Sequence, residues 1–287
     1  MVYNKTVLFT ATEEIRFSKR IINEGEKMEI KTVKTKKSEI EYFTFGKGSR
    51  IMVILPGVSV QSIMQSASFV ASAYSCFSKS HTVYLFDRAK NLEKDCTVGD
   101  MAEDTVEAMK ELGICDADLF GTSQGGMMAM YIAANYPELV HKLALGSTAA
   151  RLNSECRKIL RNWVKLAEAG NIVMLNRDIT EKVFSPSFVE EYRDFFKFKE
   201  GIGTADEMKR FSCMVSGTEN FDIYDRLDDI KCPVFVIGAD EDRVVSGEAS
   251  KEIAEKLGCE LYIYKGYGHA VYDEANDYKN RLMNFFS

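Results

Sequence analysis

Alternating apolar and polar residues near the start of the chain give way to short, continuous apolar runs. Residues 28–34 and 40–45 alternate, which predicts a half-buried antiparallel pair of strands. Short β-branched or aromatic runs bounded by Gly, Pro or Asp predict strands buried on both faces. Such runs occupy residues 51–55, 82–86, 117–120, 143–145, 234–237 and 261–264.

Helical patterns lie between these runs. Thr97 and Asp100 resemble an N-terminal capping motif for a helix that we expect to end near Leu112. Further helices are predicted at residues 124–135, 247–257 and 277–286. Strands that alternate with helices indicate an α/β fold, with a mostly parallel sheet flanked by helices.

One segment interrupts this alternation. Residues 149–215 have a helical pattern throughout, carry Trp163 and many phenylalanines, and contain no convincing strand. We therefore predict a helical cap inserted into a core of residues 27–148 and 216–287, with a helical element beside the sheet, or a dimer contact, as the alternative. Residues 1–26 form an extension to which the sequence assigns no role, although a short helix is conceivable at residues 13–22.

Composition limits the class of protein. The 287 residues, 46% hydrophobic and 28% charged, suit a globular α/β unit with an insertion and exclude intrinsic disorder. The net charge of −6, without a basic run, argues against nucleic-acid and anionic-membrane partners. No apolar stretch reaches the roughly 18 to 20 residues of a membrane span, and no signal peptide is evident.

The seven cysteines are scattered and never form a CxxC pair. This pattern argues against a disulfide framework and against a thiolate zinc site, and it is typical of a reducing compartment. We therefore expect a cytoplasmic monomer or homodimer that needs no metal and no cofactor, since a phosphate-binding glycine loop and a dinucleotide motif are also missing from the sequence.

A candidate nucleophile lies in the sequence Gly121-Thr122-Ser123-Gln124-Gly125, a GxSxG motif. The motif alone is weak evidence, but here it follows a predicted strand and opens a predicted helix, as a nucleophile elbow does. A serine in such a strained turn projects its hydroxyl above the sheet, and the helix N-terminus favours developing negative charge. We therefore predict Ser123 as the nucleophile.

Three histidines are available as its base. His81 and His141 lie on the side where strands enter the sheet, so we expect both to be structural. His269 follows the last predicted strand, on the edge where Ser123 must lie. The acid that would orient it belongs to the run Asp240-Glu241-Asp242, and spacing alone leaves all three carboxylates open.

These motifs and their order resemble the α/β-hydrolase superfamily over roughly residues 28–286. The stretch from Ile230 to Val245 is similar to the family segment in which the position of Asp242 carries the acid, so the resemblance favours Asp242, then Asp240, then Glu241. It also implies an oxyanion hole built from the backbone amides of Gln124 and Val58. Leu55-Pro56-Gly57-Val58 departs there from the family's more common His-Gly pair.

The resemblance implies a serine hydrolase that cleaves a small or medium carboxylic ester, thioester or lactone through an acyl-enzyme. An aspartate nucleophile would be expected of related dehalogenases and epoxide hydrolases, and Ser123 argues against both. The alternatives are a serine-dependent C–C hydrolase, lyase or acyltransferase on the same fold, and a non-catalytic ligand-binding member. Bulky residues of the insertion, such as Trp163 and Phe184, are candidates for shaping the substrate pocket.

Overall fold

Eight strands form one sheet in the computed structural model, which describes residues 28–287. The extension at residues 1–26 and the helix considered at residues 13–22 lie outside the described residues. The strands are β1 (Lys31–Lys34), β2 (Glu39–Phe45), β3 (Arg50–Leu55), β4 (His81–Phe86), β5 (Ala117–Thr122), β6 (Val140–Gly146), β7 (Val234–Ala239) and β8 (Glu260–Tyr264).

The strand order is β1-β2-β4-β3-β5-β6-β7-β8. β1 and β2 pair antiparallel, as predicted, and β2 pairs antiparallel with β4, whereas the remaining pairs are parallel. The carboxyl ends of β3 to β8 therefore meet at one edge of the sheet, where ligand sites of parallel α/β sheets form.

Eleven α-helices connect or cover the strands within the described residues. They are α1 (Ala67–Ala73), α2 (Val98–Glu111), α3 (Gln124–Asn135), α4 (Ser154–Glu168), α5 (Ile172–Val183), α6 (Pro186–Glu191), α7 (Arg193–Lys199), α8 (Ala205–Ser216), α9 (Gly247–Leu257), α10 (Val271–Glu274) and α11 (Tyr278–Phe285). α3 and α9 have the predicted bounds, and Thr97 caps α2 through the predicted capping box with Asp100. The sequence did not predict α1.

The sheet separates two apolar cores, because alternate residues of each central strand face opposite sides. In β3, Val53 and Leu55 join the core that contains α2, α3 and α9, whereas Met52 and Ile54 join the core that contains α11. This explains the continuous apolar runs of the central strands. β8 differs from the prediction of burial on both faces, because it is an edge strand and most of its residues are partly or fully exposed.

Helices α4 to α8 form the insertion between β6 and β7. Trp163 is 2% exposed, its Nε1 donates to Asp178 Oδ2 at 2.8 Å, and its ring lies 6.4 Å from that of Phe211. All three residues belong to the insertion, and Trp163 joins the same apolar core as α2, α3 and α9. Phe184 lies at the end of α5 and stacks on Phe188, with ring centroids 5.3 Å apart.

Candidate active site

Ser123 occupies the turn between β5 and α3. Its backbone dihedrals are φ 52° and ψ −125°, and a positive φ is strained for a residue with a Cβ atom. The turn is held by two hydrogen bonds: the Ser123 amide donates to Gly146 O at 2.9 Å, and Thr148 Oγ1 donates to Ser123 O at 2.7 Å. This strand–turn–helix geometry at the carboxyl edge is that of a nucleophile elbow.

Gly121 and Gly125 allow close backbone contacts around this turn. A Cβ on Gly121 would lie 2.4 Å from Gly125 O, and a Cβ on Gly125 would lie 2.0 Å from Leu55 O. Both distances are far below van der Waals contact, so a larger residue would force the elements apart. The two glycines therefore let α3 pack directly on β5 and on the end of β3.

His269 and Asp242 form a buried, hydrogen-bonded pair. His269 Nδ1 lies 2.8 Å from Asp242 Oδ2, and the two residues are 3% and 8% exposed. Asp242 Oδ1 accepts hydrogen bonds from the amides of Val244 (2.8 Å) and Val245 (3.0 Å). The carboxylate is thus fixed against the imidazole, and a proton on Nδ1 leaves Nε2 as the basic nitrogen.

The three adjacent acidic residues Asp240, Glu241 and Asp242 make different hydrogen bonds. Asp240 Oδ1 accepts from the Gly266 amide at 2.8 Å, and its other oxygen lies 3.6 Å from Lys265 Nζ. The Glu241 amide donates to Tyr267 O at 3.2 Å. Among Asp240, Glu241 and Asp242, only the carboxylate of Asp242 bonds to His269.

Ser123, Asp242 and His269 follow β5, β7 and β8, so the fold brings all three to the same sheet edge. Within residues 28–287, Ser123 Oγ makes no direct hydrogen bond to His269. Contacts between a nucleophile and its base are often long without substrate and tighten in the Michaelis complex.

The backbone amides of Val58 and Gln124 have no acceptor among the described residues. Gln124 opens α3, so its N–H belongs to the unpaired donors of a helix's first turn. Val58 lies in the loop after β3, where a Cβ on the preceding Gly57 would be 3.1 Å from Ser123 Cβ. Both amides therefore belong to backbone that adjoins Ser123, where an oxyanion hole would have to lie.

Comparison with known proteins places this geometry in a family. Residues 95–276, more than half of the chain, match the model of the family described as serine aminopeptidase, S33. The chain belongs to this family of α/β hydrolases. A 2-hydroxy-6-oxononadienedioate/2-hydroxy-6-oxononatrienedioate hydrolase of Pseudomonas sp. is 25% identical over 199 residues, which cover 66% of this chain and 69% of that protein.

Two solved structures share the fold of this hydrolase. MGS-M2, an α/β-hydrolase enzyme from a Medee basin deep-sea metagenome library, has a TM-score of 0.80 and 23% identity, with 89% of this chain and 97% of that chain covered. The enol-lactonase from Burkholderia xenovorans LB400 has a TM-score of 0.79 and 16% identity, with 89% and 99% covered. At these identities the likeness concerns the fold.

The other two histidines of the hydrolase lie at the opposite edge, as expected. His81 is 2% exposed at the start of β4, and its Nε2 lies 2.9 Å from Asp118 Oδ2. His141 lies within β6 itself, and its Nδ1 is 3.2 Å from Asp116 Oδ1 at the surface. Both contacts are structural rather than directed at Ser123.

Two further properties concern the part of the chain that the structure covers. From residue 28 to residue 287, no group of three or more His, Cys, Asp or Glu side chains is arranged to hold a metal ion. None of the helices in this region has the length and apolar character needed to cross a membrane.

A buried charged pair that was not predicted, Asp87-Arg88, lies directly after β4. The residues are 7% and 3% exposed. Arg88 Nη2 donates to Pro56 O at 2.6 Å and to Gln124 Oε1 at 3.2 Å. A signal was available, because two charged residues that directly follow a buried strand at the carboxyl edge are poorly explained as a solvated turn.

The insertion touches the core beside His269. The Ala270 amide donates to Val183 O at 2.9 Å, and a Cβ on Gly268 would lie 2.8 Å from the Phe184 carbonyl carbon. Ser185 Oγ donates to Glu274 Oε2 at 2.5 Å. A cavity of about 330 Å³ opens at this boundary, lined by Ser185, Ser187, Phe188, Glu191, Gly266, Tyr267 and Glu274.

A second cavity, of about 220 Å³, has a different setting. It is lined by residues of α5, α6 and α7 and by Glu200 at the end of α7, all of them within the insertion. Neither of these two cavities has Ser123, Asp242 or His269 in its wall, but the first adjoins the loop that leads to His269 and the second does not.

Proposed function

We propose that this α/β hydrolase cleaves a small or medium carboxylic ester, thioester or lactone through a covalent acyl-enzyme on Ser123. The main support is the buried His269–Asp242 hydrogen bond of 2.8 Å at the sheet edge that also carries the Ser123 elbow. A base oriented by a carboxylate beside a serine in a strained turn is the arrangement that activates a hydroxyl nucleophile.

In the first half of the proposed reaction, His269 Nε2 takes the Ser123 proton as Oγ attacks the carbonyl carbon. The amides of Val58 and Gln124 donate to the oxygen that becomes negative, and Asp242 stabilises the imidazolium. As the tetrahedral intermediate collapses, His269 gives the proton to the leaving oxygen or sulfur, and the acyl group remains on Ser123.

In the second half, His269 takes a proton from a water molecule as that water attacks the acyl-enzyme. The same two amides stabilise the second tetrahedral intermediate. When the intermediate collapses, the proton returns to Ser123 Oγ and the carboxylic acid leaves, which restores the free enzyme.

We further propose that residues 149–215 act as a cap over this edge. The contacts of Val183, Phe184 and Ser185 with the loop around His269, and the cavity beside them, support this role. A cap at this position would exclude water and select the acyl group, while the reaction at Ser123 would depend on the core.

A serine-dependent C–C hydrolase is the second candidate. It is favoured by the similarity to the dienedioate hydrolase of Pseudomonas sp.. It would use the same serine. Analysis of the products separates the two activities, because an ester yields an alcohol and a thioester yields a thiol, whereas a C–C hydrolase breaks a carbon–carbon bond and releases a carbon leaving group.

A panel of p-nitrophenyl esters of increasing acyl length, combined with fluorophosphonate labelling, tests the proposal. We expect turnover of the shorter esters and labelling of Ser123, identified by mass spectrometry of the labelled peptide. A folded protein that neither labels nor hydrolyses any ester would contradict the proposal and favour a ligand-binding member of the family.

A further inference from the structure

The buried Arg88 touches both segments that carry the proposed oxyanion-hole amides. Its Nη2 donates to Pro56 O at 2.6 Å, two residues before Val58, and to the side-chain oxygen of Gln124 at 3.2 Å. We propose that Arg88 is a positioning residue that holds the two halves of the oxyanion hole together, an inference that rests on the proposed function.

The contact with Pro56 acts through the backbone. Because peptide units are planar, fixing the Pro56 carbonyl also fixes the plane that contains the Gly57 amide, and only the dihedrals of Gly57 then separate it from the Val58 amide. Residue 57 is a glycine, the residue type with the most conformational freedom. An external anchor at Pro56 therefore restricts a loop that would otherwise adopt several orientations.

The contact with Gln124 acts through its side chain. Gln124 is 2% exposed, and its Nε2 donates to Met214 O at 2.6 Å and to Thr218 Oγ1 at 2.8 Å. With Arg88 on its oxygen, both ends of the amide group are engaged. The side chain is therefore committed to the protein, and it fixes the first turn of α3 on α8.

The charge of Arg88 is not paired directly. Burial lowers the pKa of the guanidinium to about 10, with Asp87 opposing part of that effect, so the group is protonated at neutral pH. The Asp87 carboxylate bonds instead to the Arg88 amide (2.7 Å), Ser62 Oγ (2.6 Å) and Arg210 Nη2 (2.9 Å).

Arg88 Nε is buried and has no hydrogen-bond partner in the described structure. The partners of Nη2 are both neutral oxygens, those of Pro56 and Gln124. A cation held this way in a low-dielectric setting beside the elbow favours negative charge on the reacting oxygen, because electrostatic interactions are stronger where water is excluded.

Arg210 connects this arrangement to the insertion. It lies on α8, pairs with Asp87, and also donates from Nη2 to Arg88 O at 3.0 Å. The last helix of the insertion therefore contacts Asp87-Arg88 through Arg210 and Gln124 through Met214. These contacts explain why a charged pair is buried directly after β4.

The test compares Arg88→Met and Arg88→Lys with wild type, using p-nitrophenyl butyrate and active-site titration with a fluorophosphonate. We expect kcat per labelled site to fall about 10- to 100-fold in Arg88→Met with KM nearly unchanged, since a displacement of about 1 Å costs up to about 100-fold. Arg88→Lys keeps the charge without the planar fork, so its loss should be smaller.

Arg161→Met is the matched control, because Arg161 is an exposed residue of α4 that pairs with Glu219. Its kcat and KM should equal those of wild type. Affinity for an aryl trifluoromethyl ketone, which forms a tetrahedral adduct with serine, should fall in parallel with kcat in the Arg88 variants, whereas a purely structural role would leave it unchanged per labelled site.

Three results would overturn the inference. If the Arg88 variants lose only the fraction of labelled enzyme and keep kcat per labelled site, Arg88 is structural. If KM rises for esters with an anionic acyl chain while kcat is unchanged, Arg88 binds substrate instead. If wild type neither labels nor turns over, the proposed function itself fails, an outcome distinguishable from the other two because both of those require active wild type.

Discussion

The two edges of the sheet each carry a serine, a histidine and an aspartate, yet only one resembles a catalytic site. At the amino edge, Ser80 Oγ lies 2.8 Å from His81 Nδ1, and His81 Nε2 lies 2.9 Å from Asp118 Oδ2. This array has complete hydrogen bonds from serine to carboxylate. At the carboxyl edge, only the His269–Asp242 bond is formed.

The surroundings of the two serines differ. The Ser80 amide donates to Phe77 O at 3.1 Å, and its carbonyl accepts from the Arg50 amide at 3.3 Å, so its backbone polar groups are engaged. Arg50 Nη2 also donates to Asp118 Oδ2 at 2.5 Å. The guanidinium offsets the negative charge of Asp118, which would otherwise stabilise an imidazolium. Ser80 therefore has neither an adjacent helix N-terminus nor a fully available acid.

Ser123 has the complementary features. It precedes a 12-residue helix, and the amides of Gln124 and Val58 beside it have no acceptor in the described chain. The comparison teaches that three residue types in hydrogen-bond contact do not define a catalytic site. Strained backbone, available donors and an unopposed carboxylate at the carboxyl edge carry more weight.

The largest expected effect comes from removing the two serine hydroxyls in turn. Ser123→Ala should lower kcat/KM for p-nitrophenyl butyrate by about 10⁴-fold or more, since no acyl-enzyme can form. Ser80→Ala should retain activity within about twofold of wild type. Initial rates at matched concentrations of folded protein measure both. If Ser80→Ala loses activity and Ser123→Ala keeps it, Ser123 is not the nucleophile.

The carboxylates provide the second test. Asp242→Asn should lower kcat by about 10³- to 10⁴-fold, because an amide cannot hold the imidazole in the tautomer whose Nε2 is basic. The control is Asp240→Asn, two residues away, whose carboxylate accepts from the Gly266 amide; its kcat should fall by less than about threefold. If kcat falls more in Asp240→Asn than in Asp242→Asn, Asp242 is not the acid.

The amino edge should contribute stability instead. Asp118→Ala leaves the buried Nε2 of His81 without an acceptor, which should lower the free energy of unfolding by about 1 to 3 kcal/mol. Glu155→Ala, which removes an exposed carboxylate paired with Lys158, should change it by less than about 0.5 kcal/mol. Urea unfolding at pH 7 measures both values. A stable Asp118→Ala with reduced kcat would assign a catalytic role to the amino edge.

Local patterns were sufficient to predict much of the core. Residues 51–55 and 117–120 form strands buried on both faces, and the breakers around Ser123 fix the elbow between β5 and α3. The edge position of β8 was not predicted, because an apolar run does not show how many neighbouring strands will cover it. Exposure of β8 follows from its place in the sheet order.

The candidate site was predictable only where its residues follow strand ends. Ser123 and His269 each follow a strand, so their shared edge could be inferred from topology. Spacing alone left Asp240, Glu241 and Asp242 open as the acid, and the preference for Asp242 came from the resemblance to the α/β-hydrolase superfamily. The contact between Asp87 and Arg210 joins positions 123 residues apart, and no local pattern reports such a contact.

The smallest expected effect concerns the insertion, which contacts the carboxyl edge beside His269. The backbone of Phe184 lies against Gly268, next to His269. Its ring stacks on Phe188 and packs at a tilt against Phe196. Phe184→Ala should raise the ratio of kcat/KM for longer over shorter p-nitrophenyl esters by about tenfold, the lower end of what one substrate methylene is worth in an apolar pocket. Turnover of the acetate ester should persist, because the chemistry at Ser123 depends on the core. Phe198→Ala is the control, since Phe198 is 66% exposed on the same insertion. If both variants keep the chain-length profile of wild type, the insertion does not shape the pocket, and selectivity must come from the loops that follow β3 and β6.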